Sequence, residues 1–265
     1  MKKKLVKIAA AISFPSLAVL LVAALVFVLV YPAMKDSFSK KEKGSVFLFI
    51  GDSITDGNWG VKSNTSKRSY KDLNHIFGHG YMYICASEIM AAYPEKEFVF
   101  HNRGISGNTI VDMASRWQTD CLDLQPDVLS ILVGINDICE YYRGGDSLAA
   151  HLSVTQFETN YRYLIESVQA QYPSVEILLM SPFVAPVGRY EPDYTTWRTL
   201  TQSYAQVVKQ LAQDYRTQYI DMQALFDKAI AAHPNVPASY WIWDGIHPTA
   251  AGHTLMAKVW LAFFN

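Results

Sequence analysis

The chain has 265 residues, half of them hydrophobic, and a formal net charge of −1. That balance excludes a nucleic-acid binder, which would carry a basic excess or a basic stripe. Part of the apolar excess sits at the N-terminus, and the remainder, about 220 residues, fits one α/β domain.

In chain order, a basic start comes first, with Lys2, Lys3, Lys4 and Lys7. Residues 8–31 are then apolar apart from Ser13, Pro15 and Ser16. A cleaved signal peptide has an apolar region of roughly 7–15 residues and a small-x-small cleavage site. The unbroken stretch 17–30 fits that length, but Tyr31-Pro32-Ala33-Met34 makes a poor site. A membrane-spanning helix needs about 20 apolar residues, and 8–31 supplies them, with an early proline that membrane helices tolerate. Residues 1–35 are therefore read as a membrane anchor, with a cleaved signal as the alternative. Both readings leave the lysines on the cytoplasmic side and export the rest, to the cell envelope or, after cleavage, to the periplasm or medium. No cysteine ends the apolar run, so lipoprotein processing is not indicated. Residues 36–44 are polar and charged and read as a tether; 45–265 form the domain.

Within the domain, short apolar runs alternate with longer helical patterns. Strands are expected at 46–50, 97–101, 128–133, 176–180 and 218–220. Helices are expected at 82–92, 110–122, 154–171, 196–215, 222–232 and 250–263. This alternation implies a parallel sheet covered on both faces, with strand order left open. Pro94 and Pro173 stop helical patterns, and Thr249 can cap the last helix. The stretch 58–80 lacks periodicity, and its place after a Gly-Asp-Ser turn makes it a substrate-rim candidate. Cys85, Cys121 and Cys139 are odd in number and lack zinc spacing. They read as reduced, buried thiols, with a single disulfide left open.

Four short blocks carry the chemistry. The first, Gly51-Asp52-Ser53 within Phe49 to Gly57, closes the run 46–50, as a buried strand delivers a serine to the carboxyl edge of a sheet. The others are Asn102-Arg103-Gly104-Ile105-Ser106-Gly107, Gly134-Ile135-Asn136-Asp137 and Asp244-Gly245-Ile246-His247-Pro248. Each alone could be an ordinary turn. In this order they resemble the four blocks of the SGNH/GDSL hydrolase family, over Val46 to about Trp260.

The resemblance implies a three-layer α/β/α sandwich with a five-stranded, flavodoxin-like parallel sheet. It implies ester hydrolysis through an acyl-enzyme, without metal or organic cofactor. By matching position, Ser53 is the nucleophile, His247 the base and Asp244 the carboxylate that orients it. The Ser53 N–H, the Gly107 N–H and the Asn136 side chain would form the oxyanion hole, with Gly104 permitting a tight turn. Asp52, Asn102 and Asp137 are expected to brace loops, and Arg103 to pair with a carboxylate, with a pocket cation as the alternative. The histidines His75, His79, His101, His151, His233 and His253 match no block; His253 reads as structural.

The block-two sequence and Arg116-Trp117 resemble bacterial carbohydrate acetylesterases. The leading substrate expectation is thus an O-acetylated glycan. The alternatives are a lysophospholipase or thioesterase for longer acyl chains, and a non-catalytic, membrane-tethered glycan-binding module. An aromatic rim is considered from Trp59, Trp117, Trp197, Trp241, Trp243, Tyr141, Tyr142, Tyr190 and Tyr240, all of which could equally be core residues.

Overall fold

Five strands form one parallel sheet: β1 (Val46–Gly51), β2 (Val99–Gly104), β3 (Val128–Leu132), β4 (Glu176–Met180) and β5 (Gln218–Ile220). The order is β2-β1-β3-β4-β5. Parallel strands covered on both faces read as continuous apolar runs, and β3 is buried along its whole length. The computed structural model describes residues 37–57, 76–143 and 152–264. The expected anchor, most of the rim segment, Trp59, His75 and His151 lie outside those residues. No helix among the described residues is long and apolar enough to cross a membrane.

The helices are α1 (Ser53–Asp56), α2 (Tyr81–Ala92), α3 (Ile110–Ser115), α4 (Trp117–Asp120) and α5 (Ile135–Arg143), followed by α6 (Val154–Gln171), α7 (Tyr194–Asp214), α8 (Met222–Ala232) and α9 (Ala250–Phe263). They form two layers around the sheet: α2 and α8 pack on α9, while α6 packs between α3 and α7. This is the three-layer, flavodoxin-like sandwich expected from the sequence. Trp260 of α9 locks one layer to the sheet, its ring packed at a tilt 4.8 Å from that of Phe49 and its indole N–H donated to Ser130 Oγ at 3.1 Å.

Side-chain caps set several helix starts, each worth about 1 kcal/mol. Thr109 and Asp112 make a reciprocal capping box at α3. Ser153 caps α6, Asp221 caps α8, and Thr249 caps α9 as its sequence position suggested.

The structure departs from the sequence reading at four places. The expected helix 110–122 breaks at Arg116, whose φ of −112° and ψ of 8° separate α3 from α4. The guanidinium there is drawn to acceptors on three other segments. The helix α5 was not expected, because Gly134-Ile135-Asn136-Asp137 reads as a turn. Strand β2 starts two residues late and runs through Asn102, Arg103 and Gly104. Hydropathy does not mark those residues as strand, but Asn102 is hydrogen-bonded to three backbone groups and Arg103 lies beside Asp120. Finally, the supposed tether is partly docked. Phe38 is fully buried against Phe47, Tyr93 and Phe264, and Ser37 donates a hydrogen bond to the Phe264 carbonyl. All three cysteines are buried and unpaired.

Candidate active site

In a sheet ordered β2-β1-β3, the connections leaving β1 and β3 run to opposite faces. A crevice opens between them at the carboxyl edge. Ser53 follows β1 directly and occupies the first position of α1. Asp52 caps that short helix, its Oδ1 accepting the Ile54 N–H at 2.9 Å, and Gly57 closes it in the left-handed region. The Ser53 N–H, at the helix start, has no intrahelical acceptor. Burial pushes the Asp52 carboxyl up to about 6 against the pull of the Ile54 N–H and His247.

A pinned loop brings the acid–base pair to the same place. Ile242 bridges Pro248, and the Trp243 N–H donates to the His247 carbonyl at 3.0 Å. The Gly245 carbonyl accepts from the Ala185 N–H at 2.8 Å, fixing the loop to the segment after β4. Asp244 Oδ1 accepts the backbone N–H groups of Ile246 and His247, at 3.1 and 2.8 Å. Its Oδ2 lies 2.7 Å from His247 Nδ1. Partial burial acts to raise the Asp244 carboxyl, but these hydrogen bonds outweigh it and hold the group below the usual range. His247 Nε2 in turn lies 2.8 Å from Ser53 Oγ. Residues 194 positions apart are thus joined in one line of hydrogen bonds.

The three residues expected to supply oxyanion donors border the same crevice. Gly107 has a φ of 86°, and a Cβ added there would meet nothing within 4 Å, so its backbone faces open space. Asn136, in the first turn of α5, donates from Nδ2 to the Asn108 carbonyl at 3.1 Å, which leaves its second N–H available. Ser53, Gly107 and Asn136 all line one cavity with His247. The bracing groups stand behind them. Asn102 donates to the carbonyls of Thr55 and Phe77 and accepts from the Gly104 N–H. Asp56 accepts from Ser106 Oγ at 2.8 Å. Asp137 accepts from the Ile110 N–H at 3.0 Å, and burial pushes its carboxyl up to about 7 against that bond. Arg103 is buried beside Asp120.

Gly104 serves close approach rather than a turn. A Cβ there would fall 2.2 Å from the Asp56 nitrogen, so β2 could not otherwise pack on α1. Arg116, marked in the sequence only by its resemblance to carbohydrate acetylesterases, straps the blocks together. It donates to the carbonyls of Arg103 and Gly51 and to Asn108 Oδ1, and pairs with Asp120 at 2.8 Å.

The cavity has a volume of about 620 Å³, within the usual range for small-molecule sites. Of the described aromatic candidates, Trp243 alone lines it; the ring is 60% exposed and lies 6.0 Å from the His247 ring, nearly parallel to it. Trp117, Trp197 and Tyr190 are core residues, the second of the two readings left open for them. His79, Ser106, Arg189 and His253 also reach the cavity, of which only His253 had been given a role. His253 Nδ1 accepts the Tyr81 N–H at 3.1 Å, and burial, helped by His247, holds its pKa down at about 4, consistent with a neutral structural group. His79 lies at the end of the 58–80 stretch read as a substrate rim, in keeping with its place on the cavity, whereas Arg189 lies in a segment without a recognisable block, and no local signal marks it.

The GDSL-like Lipase/Acylhydrolase family matches residues 49–255. The chain belongs to that family. An acetylxylan esterase of Geobacillus stearothermophilus is 34% identical over 220 residues, covering 82% of this chain and 93% of the esterase. A solved variant of an acetylxylan esterase from that organism superposes with a TM-score of 0.70 at 30% identity, covering 85% of this chain and 96% of the other. A protein of Parabacteroides merdae described as GDSL-like gives a TM-score of 0.73 at 31% identity, over 84% and 98% of the two chains. Variants of the Geobacillus esterase named as catalytic mutants replace a serine, an aspartate and a histidine, the last two three positions apart. Asp244 and His247 have that spacing. This GDSL-like protein is a carboxylic ester hydrolase.

Proposed function

We propose that the chain is an exported serine esterase that removes acetyl groups from a carbohydrate. The observation that carries the mechanism is the line Ser53 Oγ–His247 Nε2–Asp244, 2.8 and 2.7 Å long, at a cavity that Gly107 and Asn136 also line. A serine hydroxyl is a weak nucleophile until a base removes its proton. His247 Nδ1 donates to the Asp244 carboxylate, which leaves Nε2 as the acceptor facing Ser53. Ser53 Oγ attacks the ester carbonyl while Nε2 takes the proton. The oxyanion meets the Ser53 and Gly107 N–H groups and the second Asn136 N–H, each donor of this kind supplying several kcal/mol. As the tetrahedral species collapses, Nε2 returns the proton to the leaving alcohol. Water, deprotonated by the same nitrogen, then releases acetate and regenerates Ser53.

The similarity to an acetylxylan esterase supports acetyl as the acyl group and a glycan as the alcohol. The cavity is far larger than an acetyl group, and the surplus suits a sugar with Trp243 beside it. A site built for acetyl should close on the acyl side soon after the oxyanion donors, leaving the larger space to the alcohol, and overlap there discriminates more strongly than the roughly 1–3 kcal/mol of one methylene in an open pocket. On nitrophenyl esters, kcat/KM is therefore expected to be highest for acetate and to fall steeply by octanoate. Acetylated xylo-oligosaccharides should release acetate. A profile peaking at eight carbons or longer, with no acetate from glycans, would replace this reading with a lysophospholipase or thioesterase.

Residues 1–35 are proposed as the membrane anchor, on the basic start and the apolar length of 8–31. The mature protein should then begin at or near Met1 and stay with membranes through carbonate extraction. A soluble protein starting close to Met34 would establish a cleaved signal instead.

A further inference from the structure

We infer that Arg189 is an anion-binding residue on the alcohol side of the site, which makes the preferred substrate an acetylated glycan bearing a carboxylate on its sugar portion. This rests on the deacetylase reading above and narrows its substrate class. Four arginines, Arg103, Arg116, Arg162 and Arg198, are each set against a carboxylate. Among the described residues Arg143, Arg189 and Arg216 are not, and of these three Arg189 alone lines the cavity with Ser53 and His247, where it is exposed. The lining residues among those described include no aspartate or glutamate. Asp244 is the carboxylate whose field reaches Arg189, and it is turned to the imidazole and two backbone N–H groups. His79, His253 and His247 are the other titratable groups facing this space.

Arg189 is held ready. Its guanidinium carbon lies 4.8 Å from the centroid of the Tyr190 ring, and Nη2 donates to the Tyr190 hydroxyl at 2.6 Å. Tyr190 is itself fully buried, in contact with Cys139 Sγ at 3.3 Å. Such bracing lowers the ordering cost of a bidentate bond to a planar anion, and four N–H directions remain unused by that contact.

The position sets which half of the substrate it meets. Arg189 belongs to the turn Gly188–Tyr190, which packs on the acid–base loop; a Cβ on Gly188 would lie 3.4 Å from the Asp244 carbonyl oxygen. The oxyanion donors come from the ends of β1, β2 and β3. The leaving alcohol takes its proton from His247, so the sugar lies on the His247 side, where the turn stands. A carboxylate reaching Arg189 therefore sits on the alcohol moiety and not on the acyl group.

The test compares matched acetylated xylo-oligosaccharides with and without a uronic acid substituent. Wild type should favour the acidic substrate, and the preference should weaken as salt rises. Arg189→Gln should lower the acidic-to-neutral ratio of kcat/KM by roughly 10- to 100-fold, the range of one or two charge-assisted hydrogen bonds, and mainly through KM. Arg189→Lys keeps the charge and should retain part of the preference. A ratio equal in wild type and Arg189→Gln, or equal losses on both substrates, would reduce Arg189 to a brace for Tyr190 and overturn the inference. Hydrolysis of the neutral substrate would still leave the deacetylase reading standing. No acetate from either substrate would remove both.

Discussion

Ser53→Ala is expected to reduce kcat on nitrophenyl acetate by a factor on the order of 10⁶, the scale seen when a serine nucleophile is removed. The change deletes one half-buried hydroxyl at the start of α1, where alanine is a good helix former. The variant should keep the wild-type circular dichroism spectrum and melt cooperatively, since Asp52 and Gly57 still cap the helix. Residual turnover within tenfold of wild type, with contaminating esterase excluded, would remove Ser53 from the reaction.

Asp244→Asn should cost about 10⁴-fold in kcat, with little change in KM. The reason lies in which oxygen does what. Oδ1 accepts two backbone N–H groups, so the amide oxygen must take that place. The amide NH₂ then faces His247 Nδ1 where Oδ2 stood, 2.7 Å away. Two donors cannot face each other, so Nδ1 gives up its hydrogen and Nε2 carries one. The nitrogen 2.8 Å from Ser53 Oγ is then a donor and cannot take the serine proton. A loss below tenfold would show that the tautomer is not set by Asp244. A large loss carried by KM would place the carboxylate in substrate binding.

Much of this arrangement was legible in the sequence because parallel strands and block ends speak in short range. Buried strands announce themselves as apolar runs, and Ser53 and Asn136 lie just past two of them. Asp244 and His247 are close enough in sequence for one loop to hold both. What was not legible depends on contacts made at long range. The bracing of Asn102 and the carboxylate beside Arg103 are expected from the sequence, but their place on β2 shows only once their partners Thr55, Phe77 and Asp120 are in position. Arg116 looks like a helical position, yet its tie to the Gly51 carbonyl, 65 residues away, breaks the helix. Phe38 sits in a polar stretch, and its burial requires the far end of α9. Arg189 has no motif at all, and its bearing on the cavity comes from the packing of Tyr190 under the acid–base loop.

The most direct measurement is peptide mass mapping after reaction with a fluorophosphonate. The reagent phosphonylates a serine whose proton is taken by a neighbouring base, and the adduct mimics the tetrahedral species. The account predicts one stoichiometric adduct on the peptide containing Ser53, with ester turnover lost in proportion to labelling. An adduct on a different residue, or full turnover in protein labelled at Ser53, would contradict it.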